Sequence, residues 1–229
     1  MSGVPAAPGP KISAASAADD WLIWQLADSA FPTGGFAHSS GLEAAWQHGE
    51  IAGRAELIWF VEASLDQLGH GSFPLVLAAF DEPGRADELD QLCHAFTNNH
   101  VANRASRFQG RAFLTAAIRI FKLTDEKPWR HAHFAPVFGA CLRRLGLSRQ
   151  AVARMFFYNH LRGVLAAAVR LNIVGPMEAQ ALTRQMYARA EAILDECQRL
   201  TVDDLAQTAP VLDVWQGAHD RLYSRLFQS

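Results

Sequence analysis

Phe31-Pro32-Thr33-Gly34-Gly35-Phe36-Ala37-His38-Ser39-Ser40-Gly41-Leu42-Glu43 is the stretch on which the reading of the chain turns. Before it, residues 21–30 have the spacing of an amphipathic helix, with Trp21, Ile23, Trp24, Leu26 and Ala27 as its apolar members. After it, Leu42, Ala45 and Trp46 resume helical spacing. Between the two lie a proline, paired glycines and paired serines, the residues with which a chain turns sharply and restarts a helix. The pattern predicts that Ser39 or Ser40 caps the second helix, with Glu43 placed as in a capping box. Local chemistry alone gives a helix–turn–helix corner packed by Phe31 and Phe36.

Outward from this corner, helical periodicity recurs and strand alternation does not. Residues 55–68 put Leu57, Ile58, Val61, Leu65 and Leu68 on one side, and residues 69–71 read as a break. Residues 73–80 form a short apolar piece, and residues 87–97 turn Leu89, Leu92, Cys93 and Phe96 inward. Over residues 98–122, Val101, Ala105, Phe108, Ala112 and Thr115 form one seam, flanked by Arg104, Arg107 and Arg111. That basic flank either pairs with neighbouring acids or docks a partner. Residues 129–145 read as a helix carrying His131 and His133, and Ser148 caps a long helix over residues 149–171. Its small residues suit close packing at the centre of a bundle. Gly175-Pro176 opens another helix, with Leu182, Met186, Ala190, Ile193 and Cys197 inward; Thr201 to Asp204 caps a short piece and Pro210 starts the last. The expectation is one all-α domain over residues 19–229 with some eight to ten helices, behind a disordered tail at residues 1–18 that lacks the apolar run of a signal peptide.

With 229 residues, half of them hydrophobic and 19% charged, the chain can bury a substantial core. A net charge of −2 provides no electrostatic footprint for nucleic acid or an anionic membrane. Three cysteines far apart, with no CxxC, support neither a disulfide framework nor a zinc knuckle. The most apolar segment, residues 163–175, contains Arg170 and is too short to span a bilayer. A soluble, cytoplasmic protein is expected.

There is no Gly-Lys dipeptide, hence no P-loop, and no G-x-S-x-G elbow. His131 and His133, two apart on a helix, would point to nearly opposite sides, and adjacent Cys93 and His94 suit one ion poorly. His38 with Glu43 could serve as an acid–base pair in a helical enzyme. An aromatic-lined bundle holding an apolar small molecule is a second alternative. The composition and motifs favour neither catalytic residues nor a cofactor or metal site.

The corner resembles the N-terminal signature of the urease accessory protein UreF family, and further blocks follow in family order. Residues 103–111 are similar to the family's central arginine, serine and Gln-Gly segment; residues 133–139 to its His-x-x-Pro-Val-x-Gly block; Val169-Arg170-Leu171 with Gly175 to its long helix; and Pro210-Val211-Leu212-Asp213, His219 and Arg225-Leu226-Phe227 to its carboxyl end. His38 stands where many bacterial members carry an aromatic residue, Thr33 where valine is usual and Gln228 where arginine is frequent, and the corner's wording looks plant-type. The resemblance implies an all-helical dimer. It implies binding to a UreD-type (UreH) accessory protein and, through that complex, to the GTPase UreG and apo-urease, to help deliver nickel and modulate GTP hydrolysis. The partner-binding residues it implies are Pro32, Gly34, Gly35, Phe36, His38, Ser39, Gly41, Leu42 and Glu43 in the corner, Arg104, Arg107, Gln109 and Arg170 on the long helices, and His219, Arg225, Leu226 and Phe227 at the end. The last three are expected to become ordered on the UreD-type partner.

Overall fold

A computed structural model describes residues 14–124 and 129–229. The chain divides into two units, Met1–Phe31 and Pro32–Ser229. In the first, helix α1 spans Ala14–Ala27, beginning earlier and ending sooner than the apolar spacing suggested. Asp28 ends it by accepting N–H groups from Ala30 and Phe31. Trp21 and Trp24 meet edge to face at 5.0 Å and are largely exposed. The tail expected at residues 1–18 is helical from Ala14, and residues 1–13 lie outside the described ones.

The second unit is built from α2 (Leu42–Gln47), α3 (Arg54–His70), α4 (Phe73–Asp81), α5 (Ala86–Phe96), α6 (His100–Phe121), α7 (Phe134–Arg144), α8 (Arg149–Arg170), α9 (Pro176–Cys197) and α10 (Pro210–Ala218). Among the described residues no strand occurs, so the all-α expectation holds. The core centres on α4 and α7. Phe73, Phe113, Phe138, Phe156 and Phe157 pack there from four helices, with ring centroids 5.1–6.4 Å apart. Gly139 lets the α4 and α7 backbones touch, since a Cβ at this position would lie 2.1 Å from the Val76 carbonyl oxygen. Helix α8 is central as its small residues implied, and Ser148 caps it by accepting from Ala151. The Thr201–Asp204 capping box is also present.

Four local expectations are corrected. Helix α3 runs through Gly69 to His70, because Gly69 serves close approach to α9: a Cβ there would meet Ile193 at 2.7 Å and Cys197 at 2.9 Å. The buried seam of α6 is Val101, Ala105, Gly110, Phe113, Ala116 and Ala117, while Phe108 is half exposed and Thr115 exposed. Helices α7 and α10 are the elements packed against α6. Helix α7 begins only at Phe134, so His131 and His133 stand in a loop. Lastly, no side chain caps α2: its N-cap is Gly41 at φ 90°, and Ser39 and Glu43 are committed to the tail.

Candidate partner-docking site

The corner residues take up a conformation that a left-handed backbone makes possible. Gly34, Ser40 and Gly41 all have positive φ, and Gly34 sits so close to α6 that a Cβ would lie 2.9 Å from the Phe108 ring. Gly41 is pressed onto α10, where a Cβ would lie 3.1 Å from the Gln216 nitrogen. A single turn over Gly35–Ala37 then projects Phe36, 67% exposed, into solvent.

What holds this corner is the last stretch of the chain. Glu43 is fully buried, and its carboxylate accepts from the backbone N–H of Leu226 (2.6 Å), the N–H of Phe227 (3.2 Å) and His219 Nε2 (3.0 Å). A buried carboxylate is tolerable only when donors replace the lost water, and here three do. The Gln228 N–H donates to the Ala37 carbonyl at 2.8 Å. Ser39 donates its N–H (2.6 Å) and its hydroxyl (3.2 Å) to the Ser229 carbonyl oxygen. His38 Nδ1 is hydrogen-bonded to the Ser229 hydroxyl. Burial, together with nearby Arg104 and His219, holds the His38 imidazole down at about 4. The tail, expected to become ordered on a partner, is held within this chain: Phe227 is buried, while Arg225 and Leu226 are exposed.

Arg170, at the end of α8, closes the arrangement. Its guanidinium lies between the rings of Phe36 and Phe227, 4.1 Å from each centroid. It donates to the carbonyls of Phe36 (2.6 Å) and Leu226 (3.3 Å), so one planar cation ties the corner to the tail. Gln47 holds the tail further back by donating to the Ser224 carbonyl at 2.9 Å.

The α6 basic flank divides. Arg104 makes a two-pronged pair with Asp220 (3.1 and 2.8 Å), which His100 and Arg225 also approach at 3.2 and 3.5 Å. The hydrogen bonds from Arg104 hold the Asp220 carboxyl below the usual range. This is the neighbouring-acid reading of the flank, and Asp220 is a residue that sequence reasoning passed over. Arg107 and Gln109 are partly buried on α6, and among the described residues no hydrogen bond joins them to the corner or the tail. Pro32 and Leu42 belong to the corner, Leu42 as a core residue. The imagined His38–Glu43 pair is not formed: each side chain is bonded to a different residue of the tail.

A cavity of about 170 Å³ lies between α8 and α9, lined by Phe157, Tyr158, Leu161, Tyr187 and Leu194. Ligand pockets usually measure about 300–1,000 Å³, so this one does not support the small-molecule alternative. Among the described residues, no helix is long and apolar enough to cross a membrane.

Fold and site together define an all-helical protein whose first corner is locked by its own last residues while apolar side chains face solvent. The family model UreF matches residues 51–187. Urease accessory protein F of Oryza sativa subsp. indica is 37% identical over 219 residues, covering 90% of this chain and 84% of its own length. The protein of the same name from Arabidopsis thaliana is 37% identical over 230 residues, covering 95% and 96%. Urease accessory protein UreF of Mesorhizobium japonicum is 32% identical over 205 residues, covering 87% and 92%. The chain belongs to the UreF family.

Proposed function

We propose that this chain is a non-catalytic scaffold in urease maturation, working in the cytoplasm as a homodimer. In this reading it binds a UreD/UreH-type accessory protein, recruits the GTPase UreG and modulates its hydrolysis of GTP, and so helps nickel, as cargo, to reach apo-urease. The observation that carries the proposal is the locked corner. Phe36 (67% exposed) and Leu226 (53% exposed) stand on adjoining backbone segments that Glu43 and Arg170 hold still. Exposed apolar side chains on a preorganised frame are what a docking surface requires, since little ordering cost remains at binding. Membership of a family whose relatives are urease accessory proteins supports the same reading.

The test is size-exclusion with light scattering on the chain alone and with the UreD-type protein and UreG from the same source. A dimer that grows to a defined complex, with the UreG step depending on nucleotide, is the expected result. Phe36→Ala and Leu226→Ala should weaken the complex while the circular dichroism spectrum stays as in the parent. A monomer that elutes apart from both partners would defeat the scaffold reading.

A further inference from the structure

Three imidazoles meet where α5, α6 and the loop into α7 join. His94 comes from α5 and is half-buried; His131 and His133 come from the loop, and His133 is fully buried. His94 Nδ1 and His133 Nε2 face one another across 3.1 Å. The rings of His94 and His131 lie parallel, 1° between planes, with centroids 3.8 Å apart.

The loop that presents them is held on every side. The Asp90 carboxylate accepts the N–H groups of His131 (2.7 Å), Ala132 (3.0 Å) and His133 (2.7 Å). Ala132 has φ 59°, a left-handed backbone that an alanine adopts only under constraint. Its carbonyl presses on α6 at Gly110, where a Cβ would come within 1.9 Å. Sequence, backbone strain and a buried carboxylate thus converge on fixing the position of these rings.

All three imidazoles cannot share one ion. Parallel rings aim their in-plane lone pairs side by side, and Asp90 is spent on the backbone. Among the described residues no group of three or more His, Cys, Asp or Glu is placed to hold a metal. The His94–His133 pair is a different case. With metal–nitrogen bonds of about 2.0–2.1 Å, nitrogens 3.1 Å apart subtend roughly 100° at a shared ion. The outward nitrogen of His133, Nδ1, lies 3.0 Å from the Ser106 hydroxyl, the kind of partner that orients a ligating histidine. On binding, the Asn103 amide, 3.2 Å from His94 Nδ1, gives up that nitrogen and keeps its bond to the Thr97 carbonyl, and the proton now held between His94 and His133 moves to an outward ring nitrogen: His133 Nδ1, facing Ser106, or His94 Nε2. No net proton is released.

We propose that His94 Nδ1 and His133 Nε2 form a two-imidazole site for a borderline divalent cation, with water completing the shell from the half-open side of His94. Imidazole suits Zn²⁺, Ni²⁺ and Cu²⁺ among common ions. Two protein ligands make this an exchangeable site and not a closed structural one. The inference stands on these residues alone and is independent of the scaffold reading.

Isothermal titration of the full chain with zinc chloride, in a non-chelating buffer near neutral pH, tests it. One saturable ion per chain is expected. His94→Ala should abolish that uptake and Ser106→Ala should weaken it about tenfold or more. His48→Ala, on the exposed end of α2, should change nothing. His133→Gln is checked first by circular dichroism, since it alters a buried position; His94 is half-open, so His94→Ala decides the matter if that variant unfolds. Absence of saturable uptake, or uptake by His94→Ala equal to the parent's, overturns the site.

Discussion

The α4–α7 core and the corner–tail latch are both buried, yet they are held by opposite means. In the core, aromatic side chains pack from four helices and two backbones touch at Gly139. In the latch, one carboxylate, one guanidinium and two serines tie together backbone groups that belong to no helix. Apolar packing fails all at once when its shape is disturbed. A polar lock can open locally while the rest stays folded. The first region should therefore govern whether the chain folds, and the second whether it presents its surface.

Gly139→Ala breaks the core side of the comparison and should have the largest effect. The new methyl group would meet the Val76 carbonyl oxygen at 2.1 Å, and backbone atoms cannot swing aside as a side chain does. Overpacking commonly costs about 1–3 kcal/mol, and this contact belongs at or above the top of that range. Urea denaturation should show a lower midpoint for the whole molecule. A midpoint equal to the parent's would mean that α4 and α7 separate freely, and the contrast with the latch would lose its basis.

Glu43→Ala breaks the latch side. Two N–H groups and His219 lose their acceptor together; once the tail lifts away water replaces the carboxylate, which limits the cost to about 1–3 kcal/mol. The latch should respond by opening before the bundle unfolds. Trypsin should then cut after Arg225 much faster than in the parent, with the helical dichroism signal largely kept. Loss of the whole dichroism signal would show that the corner belongs to the core.

Acid should open the latch more gently, through His38. Its folded-state value, about 4, lies below the ordinary 6.5, so the unfolded or released form binds the proton more readily. The stabilisation is complete above pH 6.5, declines as pH falls through that value, and is gone near pH 4. The full span amounts to roughly 3 kcal/mol. His133, in the loop before α7, is pushed the same way by burial. His38→Phe should flatten the pH dependence of trypsin cleavage at Arg225 between pH 4 and 6.5. An unchanged slope would assign the acid response to other groups.

Much of the fold was legible because helix spacing, Ser148, Pro176 and Pro210 act locally. The corner was legible as a turn, but its chemistry was misread. Ser39 and Glu43 have the right spacing for capping α2, yet each found a stronger partner some 190 and 183 residues away. No local pattern carries that information. The same holds for Arg104 with Asp220, 116 positions apart, and for the histidines. His131 and His133 were placed on a helix, where their spacing separates them. In the loop that Asp90 shapes, that spacing brings both beside His94. Gly69 misled for a related reason: a glycine that admits a neighbouring helix looks, in sequence, like one that ends its own.

Arg170→Lys should give the smallest effect and sharpens the comparison most. Lysine keeps the charge but loses the planar group that lies between Phe36 and Phe227 and reaches two carbonyls at once. A cation–π contact at a partly exposed site is worth about 0.5–1 kcal/mol, so local opening should rise about two- to fivefold. Hydrogen exchange at the Phe227 and Gln228 amides reads this directly, because both donate within the latch. Exchange should quicken by about that factor in Arg170→Lys, while Glu43→Ala removes protection altogether. If Arg170→Lys frees these amides as completely as Glu43→Ala does, the guanidinium is the member that closes the latch. The carboxylate would then only satisfy backbone groups that Arg170 has already brought to it.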